Sequence, residues 1–372
     1  MSTGGRLVDL VQNRIDEFLD ARSPILAAIS DDTAPMGAIS RDFLRFGKRF
    51  RARFCYWGWQ SVQGVDDPVD FFGDTSRRDL PAVIGASAAL ELFHAAALVH
   101  DDLIDASDTR RGAPSAHRLF EREHVGRRFL GDAVRFGESA AILLGDLLLV
   151  WSDELFADAL DQLADRGNAR AARVEYNRMR TDVTAGQYLD IVAEAGWPLV
   201  PEGREIDTAL NVITYKSAKY SIEAPLAIGA SLGGASLAQM AALREFGLPL
   251  GIAFQLRDDL LGVFGDSEVT GKPAGDDLVE GKRTVLIACA RRALPASARR
   301  TLDELLGDPE LDADQVRMLQ ETIRQSGAID EVETMITQNV ERALDALEGA
   351  PLTADARDAL SRLAESISVR TA

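Results

Sequence analysis

Two acidic runs carry the strongest chemical signal in this chain. Asp101-Asp102-Leu103-Ile104-Asp105 closes an apolar stretch, Ala82 to Val99, and Arg110-Arg111-Gly112 follows at once. Asp258-Asp259 closes a second apolar stretch, Ala241 to Leu261. On a helix, residues four apart share a face, so Asp101 and Asp105 point the same way and repel. A divalent cation reverses the sign of that interaction. Mg2+ takes hard oxygen ligands and is usually held by one or two carboxylates plus substrate phosphates. Guanidinium groups bind phosphate oxygens bidentately, which suits Arg110 and Arg111 to the same ligand. An acidic helix end followed by a basic turn can also be a plain solvated boundary. Two long buried-type helices that both end in Asp-Asp fit two carboxylate clusters facing a cavity better.

The elements that must position these groups read as helices. Leu80 to Asp105 and Ala238 to Phe264 are the two metal-bearing helices. Before the first, Leu7 to Leu19 has an amphipathic stripe of Leu7, Leu10, Val11, Ile15, Phe18 and Leu19. Pro24 restarts the chain, and Ile25 to Ile29 extends the pattern. A helix over Arg51 to Val62 opens after Gly47-Lys48-Arg49, and Val65 to Ser76 reads as a surface loop. Gly112 to Arg128 reads as irregular, with a short helix around His117 to Glu123. Glu138 to Ala164, Arg170 to Ala193 and Ile206 to Leu232 are long helical segments, the last ended by Gly233-Gly234. Gly265 to Lys282 is a glycine-rich loop holding Gly271, Lys272, Gly275, Asp276, Asp277, Gly281 and Lys282. Long loops of this kind are often functional lids. Five further helices finish the chain: Thr284 to Arg292, Ala296 to Leu306, Ala313 to Gln325, Ile329 to Leu347 and Thr353 to Ile367.

Composition sets the bounds. The 372 residues are 46% hydrophobic, and Ala, Leu, Glu and Arg dominate while strand signals are few. The expected fold is all-α: residues 1–372 as one domain, a large helical bundle around a deep apolar cavity with a polar mouth. A net charge of -18 argues against nucleic acid, which needs a basic face. Cys55 and Cys289 are the only cysteines and read as unpaired core thiols of a reducing cytoplasm. Met1 to Arg14 lacks the apolar core of a signal peptide. No uninterrupted apolar run approaches the length of a membrane span; Ser139 to Val150 is broken by Asp146. A cytoplasmic protein is expected.

Nucleophile, zinc and nucleotide-loop motifs are absent. His94, His100, His117 and His124 have no cysteine partners for zinc; for His94 and His100, on the helix before Asp101, a hydrogen-bonded core histidine is the alternative to a functional one. The basic residues fall in separated groups: Lys48, Arg49 and Arg51; Arg110 and Arg111; Lys216 and Lys219; Lys272 and Lys282. Their pairing with acidic motifs is what raises them above surface charge.

These motifs resemble the trans-isoprenyl diphosphate synthases, and closely the geranylgeranyl diphosphate synthases of bacteria. The resemblance spans about Phe43 to Thr284. It rests on Gly47-Lys48-Arg49-Phe50-Arg51, on Glu91-Leu92-Phe93-His94 through His100-Asp101-Asp102, and on Arg110-Arg111-Gly112. Gly186-Gln187, Lys216-Ser217, Phe254-Gln255-Leu256-Arg257-Asp258-Asp259, Gly271-Lys272 and Glu280-Gly281-Lys282-Arg283-Thr284 complete it in the family's order. The resemblance implies the isoprenoid synthase type of fold, a homodimer, and three Mg2+ ions per active site. It implies that Asp101, Asp105 and Asp258 bind the metal, with Asp102 and Asp259 completing the motifs. Arg110, Lys216, Ser217, Gln255, Lys272 and Lys282 would contact the diphosphate of an allylic substrate. Lys48, Arg51, His94 and Arg111 would hold isopentenyl diphosphate. The implied reaction joins the two head to tail, with the released diphosphate as the base.

Three positions depart from the family. Its second motif commonly carries a third Asp four residues after the first, where this chain has Gly262; Ala52 replaces a proline; and Ser217 replaces a threonine but keeps the hydroxyl. Small Ala96 and Ala97 upstream of Asp101 would let the product grow past, and Phe93 would form the next floor. That points to geranylgeranyl diphosphate, with a farnesyl or longer product as the alternative. A terpene cyclase would have no use for the second diphosphate site. A non-catalytic partner subunit finds its one hint in Gly262.

Overall fold

The computed structural model describes residues 3–45, 47–62, 74–265 and 275–368. Their contacts group into two compact units: Met1–Arg173 with Ile228–Gly234, and Val174–Ala227 with Ala235–Ala372. Both are helical, and the one sheet among the described residues is a two-residue hairpin.

The first unit contains α1 (Thr3–Ile29), α2 (Ala34–Leu44), α3 (Phe50–Gln60), α4 (Asp74–Ile104), α5 (Ala116–Gly126), α6 (Ala133–Asp161) and the start of α7 (Arg166–Ala195). Helix α4 is its axis. Ala82, Ala86, Ala88, Ala89 and Ala96 are fully buried, and such small residues let neighbouring helices approach closely. A β-carbon added at Gly85 would meet that of Ala159 at 2.9 Å, and Ser152 Oγ donates to the Ala89 carbonyl at 2.7 Å. These contacts lock α6 onto α4. By length and composition Arg78–Ile104 could cross a membrane, but 83% of its most apolar window is buried within the protein, as in a core helix.

Two local expectations are corrected here. Pro24 does not restart the chain: α1 runs through it to Ile29. Proline removes one ladder donor. Val11, Ile15, Phe18 and Leu19 are already buried upstream, and Ser23 Oγ adds a bond to the Leu19 carbonyl. Ile25 and Ile29 do not extend the buried stripe; they are 54% and 70% exposed. Helix α4 starts at Asp74, so the end of the expected Val65–Ser76 loop is helical, while residues 65–73 lie outside the described residues.

The second unit contains the rest of α7, α8 (Glu205–Val212), a π-helical segment (Ile213–Glu223), the start of α9 (Ala224–Leu232) and α10 (Leu237–Phe264). Then follow α11 (Asp276–Glu280), α12 (Val285–Ala293), α13 (Ala296–Leu305), α14 (Ala313–Gln325), α15 (Ala328–Leu347) and α16 (Ala354–Ser368). Helix α10 opens with a Ser236–Gln239 capping box and packs along the π segment and α15. Arg257 clamps α10 to α15 through a fork on Glu333, at 2.5 and 2.7 Å.

Cys55 and Cys289 are both buried and unpaired, and burial pushes each thiol up to about 12. Native protein should therefore resist iodoacetamide at pH 8 and take up two alkyl groups only in denaturant. Mass spectrometry checks this, and fast labelling of Cys55 would contradict its packing. Gly229→Ala tests the junction of α9 with α3. Its β-carbon would lie 1.8 Å from the Cys55 carbonyl oxygen, so we expect a loss of about 1–3 kcal/mol in denaturant melts.

Candidate active site

The first acidic motif sits where α4 ends. The Asp105 amide donates to the Asp101 carbonyl at 2.8 Å, so the helical turn persists and both side chains share a face. Asp101 and Asp105 are half-buried, while Asp102 is fully buried. Asp102 takes the Arg110 guanidinium: Arg110 Nε donates to Oδ1 at 2.7 Å, and a second guanidinium nitrogen contacts the same oxygen. Arg110 also lies 3.8 Å from Asp101. Asp102 therefore orients Arg110, a division of labour invisible in the motif itself.

Arg110 and Arg111 stand on a hairpin whose second strand lies in the Gly112–Arg128 stretch expected to be irregular. Thr109–Arg110 pairs antiparallel with Ala113–Pro114, and Arg111 and Gly112 form the turn at φ 54° and 75°. Two successive left-handed residues make the turn that matches strand twist. After it, α5 covers Ala116–Gly126, longer than the short helix expected there.

The isopentenyl-type residues converge in the same unit. His94 is half-buried, and the charges that act on it include those of Arg51, Arg111, Arg110 and Arg49. Burial first, and then these arginines, hold its imidazole well below the usual histidine range. Gly47 has φ 138°, and a β-carbon there would stand 3.6 Å from both terminal nitrogens of Arg111. Lys48 is exposed beside it.

The pairing that anchors this cluster carries no local sequence signal. Arg49, left-handed at φ 51°, is 5% exposed and pairs with Glu91 at 3.2 Å. It also donates to Gln12 and to the Leu44 carbonyl. The other Glu91 oxygen accepts the Ala52 amide at 3.1 Å. This ion pair fixes the start of α3, and with it Lys48 and Arg51, to α4 one turn from His94. Of the remaining histidines, His100 Nε2 lies 3.2 Å from the Ile142 carbonyl against Gly145, His117 contacts Ser115, and His124 contacts the Leu130 carbonyl. All three behave as packing histidines.

Phe93, Ala97, Asp101 and Asp105 follow at four-residue spacing along one stripe of α4. Ala97 is half-buried and Phe93 is 4% exposed. Ala96 lies about 100° further round the helix and is fully buried.

In the second unit, Lys216 and Ser217 lie on the π segment. Such segments often mark functional sites. Its position is fixed by close backbone approach: a β-carbon at Gly186 would lie 2.3 Å from the Lys216 amide nitrogen, and one at Gly251 would lie 2.5 Å from the Ala218 carbonyl oxygen. Lys216 Nζ pairs with Asp190 at 2.5 Å, and Lys219 with Asp182 at 3.4 Å. Asp190 ends the Gly186-Gln187 motif, but its pairing was not foreseen.

The second acidic motif lies at the C-terminal part of α10. Asp258 is half-buried; Asp259 is 5% exposed and accepts from Gln255 Nε2 at 2.8 Å. Burial, then the charges of Asp277 and Asp258, push Asp259 up to about 8. The glycine-rich loop is not loop throughout: Asp276–Glu280 is a short helix between Gly275 and Gly281, both left-handed. Lys282 reaches Glu280 at 2.6 Å, and Arg283 stacks on Trp197 at 5.3 Å. Lys272 lies outside the described residues, as do Gly271 and Asp266.

These residues fit Mg2+. Among the described residues no three His, Cys, Asp or Glu side chains gather tightly enough to hold a metal ion alone. Half-buried carboxylates beside cationic groups suit an ion completed by phosphate and water oxygens.

Two predictions follow from the cluster. Glu91→Gln leaves a buried guanidinium without its counter-charge and should cost ~3–5 kcal/mol in denaturant melts, with loss of activity; unchanged stability would remove Arg49–Glu91 as the anchor. His94 should stay neutral where an unfolded histidine takes a proton. Its contribution to stability is complete above about pH 6.5 and falls as pH drops below that. His94→Gln should flatten this part of the pH–stability curve.

The polyprenyl synthetase family model matches residues 36–323. The geranylfarnesyl diphosphate synthase of Aeropyrum pernix is 33% identical over 76% of this chain and 81% of its own. The geranylgeranyl diphosphate synthase of Mycobacterium tuberculosis is 29% identical over 83% and 77%. Among solved structures, a geranylgeranyl pyrophosphate synthase from Corynebacterium glutamicum, complexed with isoprenyl diphosphate and magnesium, superposes with a TM-score of 0.90. It is 38% identical, with 98% of this chain and 99% of that one covered. The chain is an enzyme of the polyprenyl synthetase family, the trans-prenyl diphosphate synthases.

Proposed function

We propose that this chain is a Mg2+-dependent prenyltransferase whose main product is geranylgeranyl diphosphate. It would extend allylic diphosphates head to tail with isopentenyl diphosphate. The observation that carries this reading is the cationic group of Arg49, Arg51, Arg110 and Arg111 around half-buried His94, on the helix that ends at Asp101 and Asp105. A metal-dependent site and a separate cationic site within one unit suit two different diphosphates.

Lys48, Arg51, His94 and Arg111 would grip isopentenyl diphosphate, which neutralises their crowded charge. Asp101, Asp105 and Asp258 would hold Mg2+, three ions in all, which when bound would offset charge on the leaving diphosphate. Arg110, oriented by Asp102, and Lys216, Ser217, Gln255, Lys272 and Lys282 would bind the allylic diphosphate. These groups stabilise the negative charge that develops as the allylic C–O bond breaks. The isopentenyl double bond attacks the resulting allylic cation, and the proton it then sheds passes to the released diphosphate. No side chain has to act as the base.

Both units belong to one catalytic domain in this reading. The working form is a cytoplasmic homodimer, and sedimentation tests the dimer. The name of the Aeropyrum pernix relative makes a geranylfarnesyl product the alternative to weigh. The stripe of Phe93, Ala97 and Asp101 favours geranylgeranyl, with Phe93 as the floor.

Purified protein given Mg2+, isopentenyl diphosphate and farnesyl diphosphate should yield geranylgeranyl diphosphate by mass. Phe93→Ala should shift the product to longer chains. An unchanged product in that variant removes Phe93 as the floor. No elongation by folded wild-type protein favours a non-catalytic partner subunit.

A further inference from the structure

Trp197 takes no part in the reaction proposed above, yet it touches the chain beside one of its cations. It stands on the short 3-10 turn Trp197–Leu199 that follows α7, and it is 5% exposed. Among the described residues its indole N–H makes no hydrogen bond, so packing and stacking hold the ring. Two guanidinium groups lie over it, Arg283 at 5.3 Å and Arg291 at 5.5 Å from a ring centroid. The negative charge of the π face attracts such cations, most strongly where water is excluded.

The two arginines are not equally provided for. Arg291 has carboxylates of its own: it forks onto Asp303 at 2.6 and 2.8 Å and reaches Glu205 at 3.3 Å. Arg283 stands 3.9 Å from Asp303, and its Nη1 is buried without a hydrogen bond among the described residues. A buried guanidinium so weakly paired depends on whatever else offsets its charge. The face of Trp197 does that here, and it also separates Arg283 from a simple contest with Arg291 for one carboxylate.

Arg283 follows Lys282 directly. The segment is fixed on both sides of this pair. Gly281 is left-handed at φ 81°, where a β-carbon would lie 2.8 Å from the Gly307 Cα. The Lys282 amide donates to the Asp277 carbonyl at 3.0 Å. Thr284 caps α12, its hydroxyl oxygen accepting the Ile287 amide at 3.4 Å. Between these points, the grip of Trp197 on Arg283 sets how the pair is turned, and so where the Lys282 ammonium can reach.

We propose that Trp197 is a positioning residue: by stacking on Arg283 it directs the neighbouring Lys282 ammonium to the allylic diphosphate. The inference rests on the assignment of Lys282 to that diphosphate in the proposed function. The turn after α7 then shapes substrate binding through a lysine far along the chain.

The test is a double-variant cycle on folded protein. Calorimetry in Mg2+ measures binding of geranyl S-thiolodiphosphate, an unreactive allylic diphosphate, to wild type, Trp197→Leu, Lys282→Ala and the two combined. Trp197→Leu should weaken binding about tenfold, the scale of one desolvated cation–π contact. Added to Lys282→Ala it should weaken binding no further, because a residue that acts through Lys282 then has nothing to act on. Trp197→Phe keeps a ring face and should recover most of the loss. Arg283→Met keeps the stem, removes the charge and should reproduce Trp197→Leu; it carries the test if that variant does not fold. With Lys282→Ala impaired, three results would overturn the proposal alone: wild-type affinity in Trp197→Leu or Arg283→Met, losses that add in the combined variant, or Trp197→Phe no better than Trp197→Leu. No binding by wild type, or wild-type affinity in Lys282→Ala, would overturn it together with the role of Lys282 on which it rests.

Discussion

The structure is governed by the cost of holding like charges close together. Around His94 the first unit gathers Arg49, Arg51, Arg110 and Arg111; Arg49 pairs with Glu91, and Arg110 with Asp102 beside Asp101. Such a group is unfavourable unless an anion completes it. The acidic motifs face the mirror problem and need cations. A chain with both imbalances suits the metal-bearing diphosphate of the proposed function.

Holding the imbalance requires rigid backbone, and each functional group is fixed by a local device. Arg49 spends a left-handed conformation and a buried ion pair to set the start of α3. Arg111 is left-handed in a two-residue hairpin turn. Glycines at 186 and 251 let neighbouring helices touch the π segment that carries Lys216. Preorganisation of this kind keeps charged groups in place before the substrate arrives, which is where electrostatic catalysis draws its strength.

Much of this was legible in the sequence. The two acidic helices announce themselves by long apolar runs that end in carboxylates, and α4 and α10 fall within a few residues of where those runs place them. The groups around His94 were legible through the motifs as a set of residue types. What carried no local signal was pairing over distance. Arg49 and Glu91 are separated by 42 residues, and Lys216 and Asp190 by 26. The π segment looks like any helix to a periodicity argument. The hairpin at Arg110 was missed because two-residue strands give no alternation to read. Pro24 was overread, since burial on one face outweighs one lost hydrogen bond.

The central claim is that the His94 cluster is a diphosphate site in its own right, independent of the metal. Calorimetry of isopentenyl diphosphate binding in the presence of EDTA tests it most directly. The account predicts saturable binding without Mg2+ that weakens with added salt and is lost on Arg51→Gln with Arg111→Gln. Binding that appears only when Mg2+ is added, or that survives both substitutions, would contradict it.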